Sequence, residues 1–448
     1  MSLDRRFAGA MGHLLGPDFP SDIALAVSGG GDSMAMLTLA HNWAHAWGVR
    51  LWVVTVDHGL RPESAAEAAM VAEECAALGW PHAVLRWHWD GTGNTMDAGR
   101  RARLGLIDRW RGSIGHVLMA HTRDDVAETF LMRLARGSGI DGLSAMAACH
   151  HVFPSEAVPG EIAGDLPPAP AERSPGFLVV RPCLEMGREE LRHYLRTLKG
   201  RWVEDPSNED PAYGRARMRR LMALLETEGL GRDRLAETAV RLGSDREALR
   251  LRAAELWGRV GRAHETAAGD RSGVLILDPD WHRQSDPATA RRLLGGLLHY
   301  LSGADHGPRA EALDGFHDRV ASGGGGTLHG CEAAFRQGRL LLFREQAAVA
   351  GQSETIGPET LWDGRWRPAH RAFDGCTLRA LGENGWRETA PGRAAAELPH
   401  RAALSLPSIW QDGTLLACDG LNVGPGGSLR SRFDEMWPGG VREFLLSH

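Results

Sequence analysis

Short apolar runs and helix-period stretches alternate along the first 220 residues of this 448-residue chain. IALAVS (23–28) and LWVVTVD (51–57) are rich in Val, Ile and Leu and too short for helices, so both predict strands buried on two faces. HAVLRW (82–87) and HVLMAH (116–121) have similar lengths and flanks. Helical spacing fills the intervals near 33–47, 63–79, 95–111 and 123–136. Such alternation implies right-handed crossovers and a parallel sheet covered on both faces. The expectation for 1–220 is a doubly wound α/β domain.

Two further textures follow. Residues 151–176 are rich in Pro and Ala and predict a mobile surface loop. GREELRHYL, RARMRRLMALLE and 233–262 are helical in pattern, as are 288–303 and 309–321, so 221–345 reads as a helical linker and middle region. A hairpin-like alternation over 327–344 closes it. The remainder, 346–448, is rich in Pro, Gly and Trp, and CTLRAL (376–381) and TLLACDG (414–420) predict strands of a small β-containing C-terminal domain.

Composition narrows the function classes. A net charge of -6 argues against a uniformly basic nucleic-acid binder but allows local basic patches. Six cysteines without a CxxC or a Cys/His cluster disfavour a disulfide scaffold, a structural zinc and an iron–sulfur site, and read as small buried hydrophobes. No apolar run approaches the roughly 20 residues of a membrane span, and the opening segment is too interrupted for a secretion signal. A cytoplasmic protein without membrane association is expected. Oligomeric state is not legible, and a homodimer is left open.

The strongest chemical signal is SGGGDS (28–33), placed between a strand and a helix. Gly29, Gly30 and Gly31 let backbone N–H groups close on an anion, Ser28 and Ser33 add hydroxyls, and the helix points its positive end at the same place. Asp32 would repel phosphate unless a cation bridges them, which suggests Mg²⁺. The segment lacks GKS or GKT and does not match GxGxxG.

Weaker motifs flank it. VDHGLRPES (56–64) puts Asp57 and His58 at a strand's C-terminal end, where His58, Arg61 and Ser64 would meet nucleotide; alternatively Ser64 caps a helix and Arg61 is solvated. In HTRDDVAET (121–129), His121 ends the fourth strand, and Asp125 and Glu128 share a helix face on which a metal or a substrate ammonium would fit. Thr122 with Asp125 equally resembles a capping box. Arg100 and Arg103 in GRRARL (99–104) share a face suited to carboxylate or phosphate, or to solvent. DPSN (205–208) is a turn signal, and Arg215, Arg217, Arg219 and Arg220 begin the next helix.

SGGGDS resembles the pyrophosphatase loop of the ATP-pyrophosphatase (PP-loop) superfamily. The ordered set SGGGDS, VDHGLRPES, GRRARL, HTRDDVAET, RPCLEM and EDPSN is similar to that of tRNA(Ile)-lysidine synthetases, over roughly half the chain. Gly99 and Leu104 stand where that family has Ala and Tyr, and Ala216 and Met218 where it has Asn and Ile. The resemblance implies ATP-dependent ligation of L-lysine to the wobble cytidine of a CAU-anticodon isoleucine tRNA, with ATP and Mg²⁺ as cofactors and 346–448 recognising tRNA. It further implies Ser28–Ser33, His58 and Arg61 on nucleotide, Asp32 on Mg²⁺, and Asp32, Asp125 and Glu128 as catalytic groups. Substrate would meet Arg100, Arg103, His121, Asp125, Glu128 and Arg215. A PP-loop tRNA thiolase is the rival, disfavoured because Cys75, Cys149 and Cys183 fall outside the motifs.

Overall fold

The computed structural model describes residues 1–59, 63–89, 91, 95–153, 158–169, 176–204, 214–266, 269, 271–358, 360–389 and 398–448. Residues 1–246 form one compact unit and 247–448 a second.

In the first unit the elements run α1 (Leu3–Leu15), β1 (Asp22–Ala26), α2 (Gly31–Trp47), β2 (Arg50–Asp57), α3 (Ser64–Leu78), β3 (His82–Trp87), α4 (Thr95–Trp110), β4 (His116–Met119), α5 (Arg123–Leu134) and α6 (Ile140–Leu143). Then come β5 (Cys149–Val152), β6 (Gly160–Gly164), β7 (Phe177–Val180), α7 (Arg188–Thr197), α8 (Gly214–Thr227) and α9 (Arg232–Val260), the last continuing past residue 246. The strand order is β5-β7-β4-β1-β2-β3-β6. The five inner strands are parallel, as the Val- and Leu-rich runs predict, and both edge strands are antiparallel.

Successive side chains of a strand point to opposite faces, and the core divides accordingly. Ile23, Leu25, Leu51 and Val53 pack with Phe7, Met11, Met36, Val71 and Leu191 on one face. Ala24, Trp52, Val54 and Leu85 pack with Leu106, Ile107 and Trp110 of α4 on the other. A separate cluster joins Val126, Phe130 and Leu131 of α5 to Met222, Leu235 and Ala239, and so fixes α8 and the start of α9 against the fifth helix.

Within 151–176, of which 154–157 and 170–175 lie outside the described residues, Gly160–Gly164 departs from the expected loop and pairs with β3 as an edge strand. Its two glycines explain both the pairing and its low visibility in sequence. A Cβ at Gly160 would collide with Arg86 O, and one at Gly164 would lie 2.5 Å from His82 O, so only bare backbone approaches β3 this closely.

In the second unit, β8 (Gly261–Glu265), β9 (Arg271–Leu277), α10 (Pro287–Ser302), α11 (Ala310–Ala321), β10 (Gly326–Leu328), β11 (Cys331–Arg336) and β12 (Arg339–Arg344) precede six short strands. These are β13 (Ser353–Thr355), β14 (Trp366–Pro368), β15 (Thr377–Ala380), β16 (Pro407–Gln411), β17 (Thr414–Ala417) and β18 (Leu429–Ser431). Antiparallel sheets β10-β11-β12-β9-β8 and β13-β15-β16-β17 and the ribbon β14-β18 result. Val274, Ile276, Leu341 and Phe343 share a core with Leu398, Ala402, Leu406 and Trp410. No helix among the described residues is long and apolar enough to cross a membrane.

Candidate active site

From β1 the parallel order runs outward to β2 and β3 on one side and to β4 and β7 on the other. The reversal leaves a crevice beyond the C-terminal ends of β1 and β4, where open α/β sheets place their ligands. SGGGDS follows β1 and HTRDDVAET follows β4, so the topology alone brings the two motifs together.

The glycine loop is held in shape by its own serines. The Ser28 amide donates to Ser33 Oγ at 3.2 Å, and the Ser33 hydroxyl donates to Gly30 O at 2.9 Å, so Ser33 shapes the loop and Ser28 is exposed. Val203 N donates to Gly29 O at 2.9 Å and staples the loop from behind. Gly29 has φ +85°, and a Cβ on Gly31 would lie 3.3 Å from Arg192 Cγ, so neither position tolerates a side chain freely. Gly30 is the N-cap of α2 and no side chain caps that helix, which leaves its leading amides directed at the crevice. Gly29→Ala is expected to cost about 1–2 kcal/mol from the left-handed backbone alone. Thermal unfolding checks this: a fall of roughly 2–8 °C is expected for a unit of this size.

Opposite the loop lies a buried charge cluster. Asp125 is the N3 residue of α5 in a capping box with Thr122, whose amide donates to Asp125 Oδ2 at 2.8 Å. The cap and the functional position are therefore the same residue. Arg188, the first residue of α7, reaches three carboxylates: its Nε lies 3.1 Å from Asp32 Oδ2, Nη2 3.3 Å from Asp125 Oδ1, and Nη1 2.9 Å from Glu128 Oε1. Arg219 of α8 adds a 2.6 Å contact to Glu128, which is 0% exposed. Three carboxylates against two guanidiniums leave one net negative charge among these groups. Asp32 Oδ1 and Glu128 Oε2 are buried without a hydrogen-bond partner among the described residues. Burial raises the Asp32 carboxyl above its usual range, Arg188 offsets this only in part, and the Asp125 charge adds to the rise. Asp125 is held low: burial pushes it up, but Arg188 and the Thr122 amide outweigh that.

A basic flank adjoins the acids. Arg103 is crowded by protein and faces the charges of Arg215 and Arg100, which together lower its proton affinity. His58 is pushed down to about 4 by burial and then by Arg103, and its ring meets Trp87 edge-on at 5.7 Å. His121 stands between the two regions and interacts with Arg181, Asp125, Arg215 and Arg103. Ser64 donates to Asp57 Oδ1 at 2.7 Å and the Gly59 amide donates to the same oxygen at 2.8 Å, so Asp57 ties Gly59 to the first residue of α3. Arg61 and the DPSN turn at 205–208 lie outside the described residues.

The structure therefore gathers Asp32, Asp125 and Glu128 around one guanidinium, with His121 adjoining. Sequence reasoning missed Arg188, and it noticed Arg219 only as part of a basic helix start. Arg188 did leave one cue: a cation at the first position of a helix opposes the helix dipole, and needs nearby carboxylates to sit there.

A mostly parallel α/β sheet with a glycine loop at its switch point defines a PP-loop nucleotide-binding domain, and residues 3–225 match the PP-loop domain family. The chain is 38% identical over 446 residues to a tRNA(Ile)-lysidine synthase of Ruegeria pomeroyi, covering 96% of this chain and 95% of the relative. It is 28% identical to that of Wolbachia pipientis wMel, with 90% of each covered. A solved U34-tRNA thiolase from Methanococcus maripaludis is similar with a TM-score of 0.39 at 15% identity, covering 53% of this chain and 77% of that one. The chain belongs to the tRNA(Ile)-lysidine synthase family.

Proposed function

We propose that this chain ligates the ε-amine of L-lysine to C2 of the wobble cytidine in a CAU-anticodon tRNA(Ile), converting ATP to AMP and pyrophosphate. The observation that carries this reading is the near-full-length relationship to a tRNA(Ile)-lysidine synthase. The cytidine C2 oxygen attacks the α-phosphorus and pyrophosphate leaves. The lysine amine then bonds to C2, the C2–O bond breaks with AMP as leaving group, and the amine gives up its proton.

Ser28, Gly29, Gly30, Gly31 and Ser33 form the cradle for the β- and γ-phosphates at the start of α2, with His58 beside the nucleotide. The buried, unpartnered Asp32 Oδ1 suits a divalent cation. Among the described residues no three His, Cys, Asp or Glu side chains cluster as a metal site. Mg²⁺ takes one or two carboxylates together with phosphate oxygens and water, so a free carboxylate oxygen beside the phosphate cradle fits it. When bound there, Mg²⁺ would offset charge growing at the α–β bridge. Asp125 and Glu128 position the lysine ammonium, and one of them accepts its proton. Arg100, Arg103 and Arg215 bind the lysine carboxylate or a phosphate, and His121 contacts substrate.

The deciding experiment supplies ATP, Mg²⁺ and labelled lysine with CAU-anticodon tRNA(Ile), and with methionine tRNA of the same anticodon. Label in the isoleucine tRNA nucleoside alone is expected; none in either would overturn the reading. A thiolase would need reactive cysteines, but burial pushes the Cys75 and Cys183 thiols up to about 12. The triple variant Cys75→Ala, Cys149→Ala and Cys183→Ala is expected to keep lysine incorporation within about threefold, because Cys75 and Cys183 are small core residues and Cys149 is only half-buried.

A further inference from the structure

Arg181 lies just beyond β7, is only 7% exposed, and belongs to none of the groups assigned above. Its Nε donates to His121 Nδ1 at 3.1 Å, and its Nη1 donates to Ala147 O at 2.6 Å and lies 3.1 Å from His150 Nδ1. A guanidinium has five donors and no acceptor. Both histidine Nδ1 atoms must therefore be unprotonated lone-pair acceptors. A neutral His121 then carries its proton on Nε2, and among the described residues that atom makes no hydrogen bond.

We propose that Arg181 is a positioning residue that fixes His121 as the neutral Nε2–H form, so that His121 serves the reaction as a hydrogen-bond donor to a substrate oxygen and not as an acid or base. The proposal rests on the functional reading above and assigns the manner in which its substrate contact acts. The titratable and charged groups facing His121 are Arg181, Asp125, Arg215, Arg103 and His150. Burial, together with the three cations among them, holds its conjugate acid at about 4. Neutrality has a purpose here. An imidazolium beside Asp125 would compete with the incoming ammonium for the same carboxylate, whereas a neutral ring leaves Asp125 to the amine. The backbone supports the arrangement, since Arg181 N donates to Ala148 O at 2.8 Å and locks the arginine to the strand end beside His150.

The test has a spectroscopic and a kinetic arm. Nitrogen-15 histidine spectra, with His121 assigned by difference from His121→Gln, should show protonated Nε2, bare Nδ1 and no ionisation between pH 6 and 8. Protonated Nδ1, or titration in that window, overturns the proposal. In the lysine-incorporation assay, His121→Ala is expected to lose about 10²-fold, as for a lost transition-state donor. His121→Gln, which offers a neutral N–H near the Nε2 position, should recover to within roughly tenfold of the wild type. Equal loss in both variants would mean acid–base chemistry and sinks the idea. Arg181→Met removes a cation, so His121 should gain proton affinity toward the ordinary ~6.5. The KM for lysine should then rise roughly threefold or more at pH 6 and less at pH 8, a dependence a merely structural role would not create. If the wild type incorporates no lysine, the functional reading fails, while the spectra still decide the protonation state.

Discussion

Asp32→Asn is expected to slow pyrophosphate release by about 10²–10³-fold and, in the same protein, to raise the melting temperature. The two effects share one cause. The introduced asparagine can still accept the Arg188 Nε–H through its amide oxygen, so the 3.1 Å contact has a replacement. What disappears is a buried charge with one oxygen, Oδ1, left unpartnered, and with it the proposed cation site. A carboxyl whose folded pKa is raised binds its proton more tightly in the folded than in the unfolded chain. Its ionisation therefore weakens the fold at neutral pH, and the penalty fades as pH falls through the folded value. A gain of about 1 kcal/mol, or roughly 2–4 °C, is expected at pH 7.5. It should fade as the pH is lowered toward 4 and vanish near pH 3, where the wild-type carboxyl is mostly protonated in both states. Scanning calorimetry at pH 7.5 and pH 3 reads this directly. A variant that melts lower than the wild type at pH 7.5 would show that Asp32 is a structural ion-pair member and not a strained ligand.

That strain was half-visible in the sequence. The four strands and their helices were legible because buried parallel strands carry continuous Val, Ile and Leu runs, and the turn chemistry of SGGGDS stands between two of them. Edge strand β6 was not legible, since its pairing depends on missing side chains at Gly160 and Gly164, and glycine by itself signals a turn. At the site, the i, i+3 spacing of Asp125 and Glu128 located the acids correctly on one helix face. Spacing could not show that their compensating charges arrive from residues 188 and 219, because ion pairs between distant elements have no local period. The competing readings of Thr122 and Asp125 both turned out to describe the structure: one Asp125 oxygen caps α5 while the other meets Arg188. Capping and charge pairing use different oxygens of a carboxylate, so choosing between them was unnecessary.

Arg188→Ala tests the other half of the centre and should be the most destabilising single change in it. Three carboxylates, at least two of them deeply buried, lose the cation they share; Glu128 keeps a direct ion pair with Arg219, while Asp32 and Asp125 keep the more distant charges of Arg192 and Arg215. Removing one partner of a buried pair costs about 3–5 kcal/mol, so a melting-point fall on the order of 10 °C is expected at pH 7.5. The pH dependence identifies the cause. In the wild type, Arg188 is foremost among the charges holding Asp125 low, so the stability from that pair is present at neutral pH and is lost only as pH falls through the depressed folded value. In the variant the burial penalty on Asp125 is no longer opposed by Arg188 and its proton affinity rises. Acidification from pH 7.5 to 5 should then stabilise the variant, and the gap to the wild type should narrow. A gap independent of pH would point to lost packing instead. Arg188→Lys should recover part of the stability but little of the activity, because a point charge cannot reach all three carboxylates as the planar fork does. Free lysine adds a sharper discrimination. If Asp125 and Glu128 hold the substrate ammonium, millimolar L-lysine should raise the melting point of Arg188→Ala more than that of the wild type, and norleucine, which lacks the ε-amine, should shift both proteins less and show no such preference. Equal shifts with both amino acids would remove the acids from lysine binding and leave them as partners of the protein's own arginines.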